Sequence, residues 1–126
     1  MATDVNQYLG NPNLKKSNVK VEFTKEQIRE YQKCMEDPVY FIQEHMKIVS
    51  LDEGLVPFKM YDFQQDMVKT FHDNRFTICK LPRQSGKSTT IIAYLLHYVL
   101  FNENVNVAIL ANKSSTARDI LGRLQL

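Results

Sequence analysis

Apolar residues recur along this chain at two different spacings, and the change falls near residue 74. Before it, the spacing is mostly helical. Thr24-Lys25-Glu26-Gln27 has the capping-box form, which predicts a helix starting there. Ile28, Tyr31, Met35 and Cys34 form its apolar stripe, and Lys25, Glu26, Arg29, Glu30, Lys33 and Glu36 form a solvated face. Asp37-Pro38 restarts a second helix, with Asp as N-cap and Pro at the first helical position. Val39, Phe41, Ile42 and Met46 give it an apolar side. Two short β-prone runs from Ile48 to Val56 flank an Asp52-Glu53-Gly54 turn, a hairpin that Pro57 ends. Phe63, Met67, Val68 and Phe71 then recur at helical spacing from about Asp62 to His72.

After residue 74 the apolar runs become continuous. Arg75 to Leu81 reads as a buried strand, Pro82 to Gly86 as a loop, and Lys87 to about Phe101 as a long helix. Val105 to Ala111 reads as a second buried strand, and Ser114 caps a final helix running into Leu126. This alternation predicts an α/β fold, a parallel sheet with crossover helices. The first twenty or so residues are polar and carry Asn11-Pro12-Asn13, which breaks regular structure. The expected organisation is an N-terminal arm over 1–22, a helical lead-in over 23–73, and the start of an α/β core over 74–126.

Composition narrows this picture. The chain has 126 residues, 44% of them hydrophobic, enough for one domain and too apolar for a fully disordered one. A net charge of +2 is too small for a dedicated basic nucleic-acid domain. Two cysteines exclude a disulfide framework; Cys79, in an apolar run, reads as a small core residue, which fits a reducing compartment. Ile91 to Phe101 is the most apolar stretch, but a membrane-spanning helix needs about 20 residues. The N-terminus lacks the apolar stretch of a signal peptide. An intracellular protein is expected.

The chemistry centres on Leu81-Pro82-Arg83-Gln84-Ser85-Gly86-Lys87-Ser88. Gly86, Lys87 and Ser88 match the end of the phosphate-loop pattern G-x-x-x-x-G-K-[ST]; Leu81 stands in place of its first glycine. A strand entering and a helix leaving would aim loop amides and a helix N-terminus at one polyphosphate. Gly86 lets the backbone approach closely, Lys87 supplies a charge for the β and γ phosphates, and Ser88 a hydroxyl for Mg²⁺. ATP and Mg²⁺ are the expected ligands. Arg83 could stabilise transition-state charge on the γ-phosphate, help only to bind phosphate, or lie on the surface. Gln84 and Ser85 read as loop backbone.

Upstream, Gln64 opens a predicted helix, and a carboxamide can pair with both the donor and the acceptor edge of adenine. Tyr61 or Phe63 would stack on the base or join the core. Downstream, Lys113 ends the second strand, where it is a loop lysine or a contact to phosphate or DNA.

Together these stretches resemble the large subunit of tailed-phage terminases, the DNA-packaging ATPase, and its T-even-like branch most closely. Leu9-Gly10-Asn11-Pro12-Asn13-Leu14-Lys15 resembles the leader. Tyr61-Asp62-Phe63-Gln64-Gln65-Asp66-Met67 resembles the adenine motif, which implies an adenine contact at Gln64. Leu81 to Thr89 resembles the deviant Walker A segment, including the missing first glycine and the internal arginine. Ile109 to Ser115 resembles the next strand and loop. The resemblance implies an incomplete P-loop NTPase sheet of the ASCE type, preceded by a small helical region. It implies a nucleotide site of Gln64, Pro82, Arg83, Gln84, Ser85, Gly86, Lys87, Ser88 and Thr89. Arg83 would be the cis-acting arginine finger, Lys87 the phosphate lysine and Ser88 the Mg²⁺ ligand. Pro82 departs from the serine of the nearest relatives. The implied partners are double-stranded DNA, the portal protein and the small terminase subunit. The implied setting is the host cytoplasm, in a ring docked on the procapsid portal, with no membrane.

Hydrolysis also needs a Walker B carboxylate ending a buried strand. After Lys87 the acidic residues are Glu103 and Asp119, and neither ends a strand. The expectation is an N-terminal piece of the motor that folds marginally and is inactive alone. A helicase-like translocase fragment and a non-catalytic nucleotide-binding module are the alternatives.

Overall fold

A computed structural model describes residues 7–9, 11–50 and 52–124 of the chain. Met1 to Asn6, Gly10, Leu51, Gln125 and Leu126 lie outside the described residues. Part of the leader, one residue ahead of the hairpin turn and the end of the last helix therefore fall outside them.

The local signals of the first half produce their elements. Helix α1 (Lys25–Glu36) starts at Thr24, whose hydroxyl accepts from the Gln27 amide at 3.2 Å. The Gln27 carboxamide in turn accepts from the Thr24 amide at 2.9 Å. Helix α2 (Pro38–His45) starts at Asp37, whose carboxylate accepts from the amides of Val39 and Tyr40. An antiparallel hairpin follows, strand β3 (Lys47–Ser50) against strand β4 (Gly54–Pro57), with Ile48 opposite Val56 and Ser50 opposite Gly54. Helices α3 (Asp62–Asp73) and α4 (Lys87–Phe101) complete the packed part, and α5 (Ser114–Leu124) lies against α4.

One cluster holds these elements together. Val39 and Ile42 of α2, Val68 of α3 and Ala93 of α4 meet Phe58 and Met60 from the segment after β4. Ile42 and Val68 are fully enclosed. Behind this cluster His97 is buried; its Nε2–H donates to the Cys34 carbonyl at 2.8 Å, and its ring lies 4.8 Å from that of Phe101. Burial holds its pKa below the ordinary 6.5.

Glu30 gathers a second group at the α1–α2 contact. Its carboxylate accepts from the Tyr40 hydroxyl at 2.7 Å and lies 3.0 Å from His45 Nε2. The Tyr40 bond and then the His45 bond hold the Glu30 pKa below its usual value. Cys34 Sγ approaches the same oxygen at 3.9 Å, and these contacts account for the cluster of acid, thiol and imidazole.

Several expectations need correction. The polar leader is not without regular structure: strand β1 (Gln7–Tyr8) pairs antiparallel with strand β2 (Asn11–Lys15), which includes the Asn-Pro-Asn stretch. A two-stranded edge has room for a proline because only one side of each strand is paired. The α1 stripe is buried only at Cys34; Ile28, Tyr31 and Met35 remain exposed, although Tyr31 packs on Phe101. Cys79 is exposed, not a core residue. Arg75–Leu81 and Val105–Ala111 carry no strand among the described residues. Ile78 is 98% exposed and Leu110 89%. Among the described residues the sheets are two separate antiparallel pairs. No described helix is long and apolar enough to cross a membrane.

Candidate functional site

The loop before α4 turns on two residues with positive φ, Gln84 at 60° and Gly86 at 74°. Gly86 is the N-cap of α4 and supplies no side chain, so no side chain caps the first amides of the helix. Those amides carry the positive end of the helix dipole and are available to an anion. The carbonyl of Pro82 closes the loop from inside: it accepts from Ser85 Oγ and from Lys87 Nζ, both at 3.0 Å. The lysine ammonium is thus folded over the loop. Arg83 is exposed in the same turn, and Ser88 is exposed in the first turn of α4. Lys113 is exposed just ahead of α5, where its carbonyl accepts from the Ala117 amide.

Gln64 lies on the other side of the loop and is 3% exposed. Its Oε1 accepts from the Tyr61 amide at 2.9 Å, the same return bond that Gln27 makes to Thr24 in α1. Its Nε2 donates to Thr90 Oγ1 at 3.0 Å, and Thr90 Oγ1 donates to the Gly86 carbonyl at 3.0 Å. The carboxamide passes directly over Gly86, where an added Cβ would stand 2.7 Å from Gln64 Nε2. Gly86 is needed for its φ and for this approach.

A cleft of about 450 Å³ opens between these parts. Tyr61, Phe63 and Gln64 line one side, and Gln84, Ser85, Gly86 and Thr89 the other. The rings of Tyr61 and Phe63 lie within 9° of parallel, with centroids 6.0 Å apart. The structure therefore brings Gln64 together with Gln84, Ser85, Gly86 and Thr89. Pro82, Arg83, Lys87, Ser88 and Lys113 are not among the lining residues.

Sequence reasoning missed Thr90, which is fully enclosed, and the contribution to the cleft of Ile48 from the hairpin and Phe58 just after it. The Thr90 signal was present: a threonine four residues after a loop glycine can bond back to its carbonyl. The contribution of the hairpin depends on tertiary packing and leaves no local mark.

These features set the uncapped start of α4 beside a cleft lined by two aromatic rings. Residues 78–124 match the family described as terminase large subunit, T4likevirus-type, N-terminal. Over that stretch the chain is similar to the N-terminal part of a terminase large subunit. The match begins at Ile78 and covers the loop, α4 and α5; Tyr61 to Met67 lies ahead of it.

Proposed function

We propose that this chain forms the nucleotide-binding front of a packaging ATPase, with MgATP seated between α3 and the 82–86 loop. The observation that carries the reading is the single cleft lined by Tyr61, Phe63 and Gln64 opposite Gln84, Ser85, Gly86 and Thr89. Its size suits a nucleobase and its sugar, and the amide-rich start of α4 adjoins it. Lys87 would exchange the Pro82 carbonyl for the β and γ phosphates. Ser88 would hold Mg²⁺, and Arg83 would offset charge on the γ-phosphate. Gln64 would read the adenine edge while Tyr61 and Phe63 cover the base.

In this reading 75–81 and 105–111, which carry no strand among the described residues, would pair as parallel strands of an α/β P-loop core where a neighbouring strand is present. The apolar side chains they expose, Ile78 and Leu110 among them, favour such a neighbour. Glu103, in the turn after α4, and Asp119, on α5, do not line the cleft. The chain itself is therefore assigned binding, and hydrolysis is left to the assembled motor. Double-stranded DNA, the portal protein and the small terminase subunit are its proposed partners, in a ring on the procapsid in the host cytoplasm.

Isothermal titration of the chain with MgATP tests this. Saturable binding that weakens at least about tenfold in Lys87→Ala is expected, the loss of one charge-assisted contact. No binding, or equal binding by the variant, contradicts the proposal.

A further inference from the structure

We infer that Glu30, Cys34 and His45 form a zinc site that pins α1 to α2. The three side chains offer a carboxylate oxygen, a thiol sulfur and an imidazole nitrogen, and these atoms all lie within 4.8 Å of one another. Glu30 Oε1 stands 3.0 Å from His45 Nε2 and 3.9 Å from Cys34 Sγ. A tetrahedral zinc ion bonds nitrogen and oxygen at about 2.1 Å and sulfur at about 2.3 Å, which spaces its ligand atoms about 3.4–3.6 Å apart. The hydrogen bonds that gather the three donors thus hold them near that spacing without an ion.

Sequence and packing both place them. Glu30 and Cys34 are four residues apart on α1 and so share one face of that helix. His45 is the last residue of α2. Its ring stacks on Phe41, with centroids 6.0 Å apart, and meets Tyr40 edge-on. Cys34 is buried, and its carbonyl accepts from the buried His97. The side chains of Glu30 and His45 are 43% exposed, which leaves a path for the ion and room for a water as the fourth ligand. The Tyr40 hydroxyl donates to Glu30 at 2.7 Å, the kind of outer bond that orients a ligating carboxylate.

The donor set selects the ion. Thiolate and imidazole suit Zn²⁺, whereas Mg²⁺ and Ca²⁺ take oxygen. On binding, the Cys34 thiol gives its proton to solvent, and His45 turns the lone pair of Nε2 to the metal with its hydrogen on Nδ1. Thiolate and carboxylate then balance the two positive charges. Lys33, whose ammonium lies 3.7 Å over the Tyr40 ring, opposes the ion and moderates its affinity. The ion supplies what α1 lacks, because Ile28, Tyr31 and Met35 stay exposed and only Cys34 of its stripe is buried.

The test titrates the full chain with Zn²⁺ against a chromophoric chelator and records spectra with Co²⁺ in its place. Saturable binding of one ion per chain is expected, with a thiolate-to-cobalt charge-transfer band in the near ultraviolet. Cys34→Ser should abolish that band, and His45→Gln and Glu30→Gln should weaken Zn²⁺ binding at least about tenfold. Cys79→Ser, at the exposed thiol, should change neither. His45 is exposed, so His45→Gln carries the prediction if Cys34→Ser does not fold. A wild-type chain that binds no Zn²⁺, a cobalt complex without the thiolate band, or equal Zn²⁺ binding by His45→Gln overturns the inference. So does a band that is lost with Cys79 and kept without Cys34.

Discussion

The surroundings of α2, α3 and the start of α4 differ sharply from the segments 75–81 and 105–111, although both are rich in apolar residues. In the first region Ile42 and Val68 are fully enclosed, and the buried Gln64 and Thr90 are both hydrogen-bonded, Gln64 to Tyr61 and Thr90, and Thr90 to Gly86. In the second, Ile78 and Leu110 are almost wholly exposed, and the hydroxyl oxygen of Thr77 is covered without a hydrogen-bond partner. The difference is one of partners, not of composition. A helix satisfies its own backbone and needs a neighbour only for its apolar face. A strand needs a neighbour for its backbone as well, and none stands beside these two among the described residues.

Substitution separates the regions most plainly. Ile42→Ala is expected to cost about 2–5 kcal/mol, a buried branched side chain replaced by a cavity. Ile78→Ala, at an exposed position, should change stability by no more than about 0.5 kcal/mol. Urea unfolding midpoints measure both, and a large loss at Ile78 would show that the segment is packed. Gly86→Ala should cost about 1–3 kcal/mol, because its left-handed backbone is strained for alanine and its Cβ would displace Gln64. A thermal melt unchanged by that substitution would show that the cradle is looser than described.

Smaller effects refine the first region. Asp37→Ala removes the acceptor of two amides and should cost about 1 kcal/mol, read as a lower melting temperature. The least change comes from His97, which is buried with its pKa held below 6.5. As pH falls below about 6.5 the unfolded chain takes the proton first, so this contribution to stability declines from there down to the lower folded value. Melting temperatures measured from pH 7.5 to 5.5 should fall, and His97→Gln should flatten the slope.

What was legible in the sequence follows the same division. Thr24 with Gln27, Asp37 with Pro38, and the Asp-Glu-Gly turn are local signals, and each produced its element. The loop over Pro82–Gly86 and the helix start at Lys87 were legible because both are written in consecutive residues. The Gln64–Thr90 bond was not, since it joins residues 26 apart that only packing brings together. The exposure of 75–81 was not legible either, because a run of β-prone residues states a preference for pairing and not the presence of a pair. The α1 stripe failed for a related reason: periodicity marks an apolar face without naming what covers it.

The central claim is that one cleft joins the adenine-facing residues to the phosphate loop. Amide hydrogen exchange with and without MgATP tests it most directly. Protection should rise over Tyr61–Gln65 and over the Pro82–Gly86 loop with the first turn of α4, with little change at β1 and β2. Unchanged exchange at both, or protection centred instead on the apolar groove between Phe41, Ile48 and Leu124, would contradict it.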